Sequence, residues 1–134
     1  MQPEAKFYKE LKKNIPSIIW NRVENLSLLG MPDLLGYNKK QCFFTVELKV
    51  VKGNKIKFSP HQIAWHKTHP QNTFIMAKTL DPCTLKTSSI SLFHGSSIMA
   101  LARYGMKVDA CACGFPACAS MFDEVGLTLE NFGA

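Results

Sequence analysis

Residues 30–50 read GMPDLLGYNKKQCFFTVELKV. The run Cys42–Val51, CFFTVELKVV, is the strongest strand of the chain, because aromatic and β-branched side chains suit a pleated, half-buried surface. Asp33–Tyr37 reads as a shorter strand ahead of it, with Gly36-Tyr37-Asn38-Lys39-Lys40 as the joining turn. Such a turn pairs the two strands antiparallel and brings Asp33 beside Glu47. Glu47 and Lys49 are two residues apart and share one face, while Leu48 points to the other. Two adjacent carboxylates repel, which raises a pKa unless a cation lies between them. A hard divalent ion such as Mg²⁺ seeks oxygens of this kind. Lys49 beside that ion is placed to orient or deprotonate a water, or to hold a phosphate. A Lewis acid, a nucleophilic water and a cation near developing charge are the parts that metal-assisted phosphodiester hydrolysis needs. The plain alternative is a solvated Glu-x-Lys ion pair on an exposed strand face, and these residues alone leave both open.

Working outward, Pro3–Asn14 is expected to be helical. Phe7, Tyr8, Leu11 and Ile15 recur at helical spacing, Pro3 suits a first turn, and Pro16 stops the helix. Ser17–Asn25 (SIIWNRVEN) alternates as a strand with Trp20, Arg22 and Glu24 on one side. Residues 26–31 form a loop into Pro32. Lys52–Phe58 (KGNKIKF) is a basic loop. Ser59 caps a helix with Pro60 at its first position, running to His69 before Pro70. Asn72–Ala77 is a further strand, residues 81–89 a loop, Ser91–His94 a last strand, and Ser96–Tyr104 a helix with Ile98, Met99 and Leu101 inside. Beyond Met106 no periodicity is legible. The order of elements predicts a mixed α/β domain.

A chain of 134 residues fits one domain. With 46% hydrophobic and 19% charged residues it can bury a core. A formal charge of +6 suits a polyanionic partner, though it says nothing about fold. No apolar stretch reaches the length of a membrane span, and MQPEAKFYKELKK has no apolar signal core. The expectation is therefore a cytoplasmic protein with its five cysteines reduced.

Pro32-Asp33 followed by Glu47-Leu48-Lys49 resembles the PD-(D/E)XK nuclease signature. GMPDLLG, then FFTVELKV, then FSPHQIAW (Phe58–Trp65) is similar to the virus-type replication-repair nuclease domain, VRR-NUC, and to phage Holliday-junction-resolvase-like proteins. WNRVEN (Trp20–Asn25) fits the same group, so the resemblance covers Glu4 to Ala77. It implies a restriction-endonuclease-like core, a mixed sheet flanked by helices. It implies Mg²⁺ or Mn²⁺ held by Asp33, Glu47 and the backbone carbonyl of Leu48, with Lys49 serving the attacking water. Gln62 resembles a glutamine that lines such sites; by periodicity alone it is an ordinary exposed helix residue. The family often adds a glutamate from the first helix. Glu4 shares the face of Phe7 and Leu11 at about 100° per residue, whereas Glu10 lies off it. Glu4 is favoured, although it could equally complement the helix dipole. Glu24 is a further candidate, and Arg22 either pairs with it or touches a phosphate.

The activity implied is Mg²⁺-dependent, structure-selective cleavage of branched DNA such as Holliday junctions, by a phage or prophage protein in the host cytoplasm. A restriction-type or nicking nuclease of the same fold, or a non-catalytic DNA-binding protein, are the alternatives. Lys39, Lys40, Lys52, Lys55 and Lys57 flank the carboxylates from both ends of the strand and suit phosphates, as solvated turns would also suit them. His61 stands next to Gln62, within reach of a DNA substrate, although it, His66 and His69 are read chiefly as surface histidines; Trp65 is read as core in preference to a base-stacking platform. Cys111, Cys113 and Cys118 form C-x-C-x₄-C without a nearby fourth ligand and are read as buried thiols in a packed tail, with a zinc site as the lesser alternative. The single domain is divided into a core over residues 4–94 and a packing or dimerisation extension over 95–134. Phe115, Met121, Phe122, Leu127, Leu129 and Phe132 make that extension apolar enough to pack across the two-fold axis of a homodimer.

Overall fold

The computed structural model describes residues 3–23, 30–80 and 88–126. Helix α1 (Pro3–Asn14) is followed by strands β1 (Ile19–Arg22), β2 (Leu34–Tyr37) and β3 (Phe43–Val51). Helix α2 (Pro60–Thr68) leads into β4 (Thr73–Leu80) and β5 (Ser88–His94). Helix α3 (Ile98–Tyr104), the short β6 (Ala112–Cys113) and α4 (Phe115–Glu124) follow. The six strands form one sheet in sequence order. Among the described strands only the β3–β4 pair is parallel, bridged by α2, and the other neighbours are antiparallel. The molecule is a mixed α/β domain with helices on its sheet, as the order of elements predicts.

The sheet buries both faces. Leu34, Phe44, Val46, Leu48, Phe74, Met76 and Leu92 meet Phe7 and Leu11 of α1 and Cys118 and Phe122 of α4. On the other face Val51, Ile75, Ala77 and Phe93 meet Ile98 and Leu101 of α3. Burial on both sides explains why β3 and β4 read as near-continuous apolar runs. An aromatic cluster locks the first face: Phe44 stacks on Phe122 at 4.8 Å, and Trp20 meets both edge-on. Such pairs contribute about 1 kcal/mol each beyond their burial. Gly36 makes this possible, since a Cβ there would lie 2.4 Å from the Phe44 ring.

Strand β1 is shorter than the alternation suggests, and residues 24–29 lie outside the described residues. Strand β5 starts earlier than expected and pairs with β4 over its full length. Most of the expected loop at 81–89 lies outside the described residues. Met99 is 54% exposed, because α3 turns only Ile98 and Leu101 to the sheet. Over its described part the stretch after Met106 packs onto the domain. Strand β6 joins the sheet, and α4 puts Cys118 and Phe122 into the first core. Phe115 and Met121 pack against that core; Leu127, Leu129 and Phe132 lie outside the described residues. Asn38, almost fully buried in the β2–β3 turn, fastens α4 in place. Its amide nitrogen donates to the carbonyls of Phe122 and Val125, both at 2.9 Å. Its oxygen accepts from the backbone N–H groups of Lys40 and Cys42. Among the described residues no helix is long and apolar enough to cross a membrane.

Candidate active site

The β2–β3 register pairs Leu34 with Val46, which sets Asp33 level with Glu47 just past the end of the ladder. Strand β2 therefore leaves the β3 backbone uncovered beyond Val46, and Asp33 takes its place. Its Oδ2 accepts the N–H of Leu48 at 2.8 Å. The N–H and C=O of one strand residue face the same edge, so the Leu48 carbonyl also points to the Asp33 side. Glu47 is buried, 2% exposed, and its Oε1 has no hydrogen-bond partner. Burial, followed by the contact with the Asp33 carboxyl, pushes the Glu47 pKa from 4.5 to about 10; Lys49 opposes the shift and Glu4 adds a little to it. The two carboxyl groups are close enough to share a proton.

Lys49 lies on the same face, two residues along β3. Its Nζ donates to Gln62 Oε1 at 3.0 Å and sits over the Phe58 ring at 4.9 Å. Gln62 is itself held by the start of α2. Its Oε1 also accepts the N–H of Ser59, while the Ser59 hydroxyl accepts the N–H of Gln62. This reciprocal cap orders the helix end and aims the acceptor that restrains Lys49. Ser59 was legible as the cap, but the Gln62 half of the box and its link to Lys49 were not. Phe58 escaped sequence reasoning because an aromatic residue after a basic loop reads only as core. Gly30 brings the Pro-Asp loop against the first turn of α2: its φ is +81°, and a Cβ there would lie 2.2 Å from the His61 carbonyl oxygen. Only glycine tolerates both conditions cheaply.

The remaining expected residues divide. Glu4, exposed at the start of α1, lines a cavity of about 470 Å³ with Lys49, Lys52, Lys55 and Lys57. Glu10 instead pairs with Lys78 of β4, which leaves Glu4 as the α1 carboxylate that reaches the field of Glu47. Lys39 and Lys40 are exposed in the β2–β3 turn, at the far end of β3. Arg22 pairs with Leu34 in the ladder and so lies on the α1 face, opposite Glu47. Glu24 lies outside the described residues. His61 is exposed beside Gln62.

Three readings of side chains need correction. His66 is fully buried, with neither ring nitrogen hydrogen-bonded, because α2 turns it onto the sheet beside Thr73 and Gly95. Burial, with the charges of His69 and Lys49, lowers its pKa to about 4. Trp65 belongs to neither apolar cluster; it is half-buried and stacks on His69 at 4.0 Å. Of the three cysteines, Cys118 is buried, Cys111 half-buried and Cys113 exposed.

Asp33, Glu47 and the Leu48 carbonyl offer hard oxygens from two adjacent strands, one of them a buried oxygen without a partner. That donor set fits a hard divalent cation completed by waters. It includes two carboxylates and no more: among the described residues no group of three or more His, Cys, Asp or Glu side chains is placed to hold a metal. No protein-family model, no curated protein and no solved structure matches this chain.

Proposed function

We propose that this protein is a Mg²⁺- or Mn²⁺-dependent, structure-selective DNA endonuclease with a restriction-endonuclease-like core of the PD-(D/E)XK type. One observation carries the reading: Glu47 is buried against Asp33 with an unpartnered oxygen, a costly arrangement for two acids that a divalent cation would relieve. Asp33 and Glu47 would hold the ion, with the Leu48 carbonyl on the same edge. Bound there, it would supply Lewis acidity and a water of lowered pKa. The Lys49 ammonium, restrained by Gln62 Oε1, would orient that water and meet negative charge developing on the phosphate. Lys52, Lys55 and Lys57 continue the positive lining away from Lys49 and would neutralise neighbouring phosphates. Among the described residues no helix or ribbon stands out from the site to enter a DNA groove, which favours shape over sequence and branched DNA, such as a Holliday junction, as substrate. A phage or prophage protein acting as a homodimer in the host cytoplasm fits this substrate, since two sites address symmetric strands.

Cleavage of junction, flap, nicked and linear DNA in Mg²⁺ tests the proposal. Asp33→Asn and Glu47→Gln should each abolish cutting and leave DNA binding in place. Cutting that persists in either variant would defeat the site assignment.

A further inference from the structure

Next to the carboxylates the same sheet face carries a second feature. On β3 the side chains facing α2 are Phe43, Thr45, Glu47 and Lys49. Thr45, about 7 Å from Glu47 along the strand, lines a cavity of about 380 Å³ with Leu35, Phe43, Trp65, His69 and Asn72. Its floor is aromatic and already ordered. Trp65 and His69 lie parallel, 8° apart, and His69 Nδ1 is fixed between the Trp65 carbonyl at 2.7 Å and the Thr68 hydroxyl. The rim is polar: Gln71 and Asn72 are exposed, and Asn72 holds a left-handed φ of +56°. The Thr45 hydroxyl is buried without a partner. A flat aromatic platform, amide side chains at its edge and a chain of charge +6 together suit one occupant, a planar base on an anionic backbone.

We propose that the Trp65–His69 stack receives an unpaired nucleobase of the DNA substrate, splayed out one nucleotide from the phosphate at Asp33 and Glu47. This rests on the nuclease reading above and narrows its substrate to DNA with a single-stranded segment beside the cut. A base resting on the pair lengthens a stack that is already formed, so little ordering entropy opposes it. The amides of Gln71 and Asn72 can meet base edges, which a fully paired duplex would keep inside its own hydrogen bonds.

The test uses the full chain without divalent metal, a short oligothymidylate and a blunt duplex of the same length. Oligothymidylate should quench the tryptophan emission of the wild type. Trp65→Phe should bind it with near-wild-type affinity but lose the quench, because Trp20 is hydrogen-bonded inside the fold. Trp65→Ala should bind it about fivefold or more weakly and hold the duplex as the wild type does. Wild-type emission unmoved by saturating oligothymidylate, unchanged binding by Trp65→Ala, or an equal loss on the duplex would each overturn the proposal. Cleavage is read separately. If Asp33-dependent cutting persists where the stacking result fails, the nuclease reading survives and the pocket does not. If stacking is seen and Asp33-dependent cutting is not, the pocket survives and the protein is a binder of unpaired DNA.

Discussion

Glu47→Gln isolates the buried acid on which the site depends. In the folded, metal-free protein the Glu47 pKa stands at about 10, against 4.5 for an ordinary glutamate, with burial as the main cause and Asp33 next. A folded-state pKa above the unfolded one contributes stability that is complete below pH 4.5 and is lost as pH rises toward 10. The unfolded chain releases the proton first, so each pH unit in that window costs about 1.4 kcal/mol. Between pH 5 and pH 7 the wild type should therefore lose about 3 kcal/mol relative to a variant that does not titrate there. Gln has the shape of the protonated acid, and its NH₂ can donate to Asp33 as the shared proton does. His66 acts in the opposite sense: its pKa is lowered to about 4, so its stability contribution is present above pH 6.5 and fades as pH falls. It is the same in both proteins and cancels in the difference. Urea unfolding of wild type and Glu47→Gln in chelator at pH 5, 6, 7 and 8 measures the gap directly. The gap should widen with pH in favour of the variant. Parallel pH profiles, or a variant that is the less stable protein at pH 8, would refute the buried-acid argument.

Three further outcomes follow from the packing. Lys49→Met keeps an unbranched side chain of similar length but removes the charge that lies over Phe58 and on Gln62; cleavage should fall about 100-fold or more while DNA affinity changes little, read by single-turnover cutting and a binding titration. Gly30→Ala forces a Cβ into the His61 carbonyl at positive φ and should cost about 1–3 kcal/mol in thermal unfolding, with cleavage impaired at temperatures where the chain remains folded. Asn38→Ala strips partners from two backbone carbonyls at the end of α4 and two N–H groups of the turn; it should destabilise by about 2–3 kcal/mol, measured by urea denaturation. An unchanged midpoint would mean that α4 is held by its apolar face alone.

The heart of the site was legible because its parts are local. A short turn sets the β2–β3 register, and period-two alternation puts Glu47 and Lys49 on one face, so the Asp33–Glu47 contact follows from some fifteen residues of chain. The Ser59 cap and Pro60 marked the start of α2 for the same reason. Helix α2 then hid its buried face. Polar and apolar residues alternate around it without a clear stripe, so nothing in its spacing shows that His66 turns inward and that Trp65 lies beside His69 at the surface. Glu10 and Lys78 are 68 residues apart, and their pairing depends on how α1 lies across the sheet.

By itself, then, the amino-acid order determined the strands, the turn between β2 and β3, and the shared face of the acid and the lysine, since neighbouring residues fix these through backbone geometry. Tertiary packing alone decided how deeply Glu47 is buried, and where β6 and α4 dock. Asn38 meets Phe122 across 84 residues, and Glu47 loses water only because helices pack onto its face of a sheet assembled from segments far apart in the chain. Burial, and with it the shifted acidity of Glu47, is a property of the assembled layers and not of any one segment.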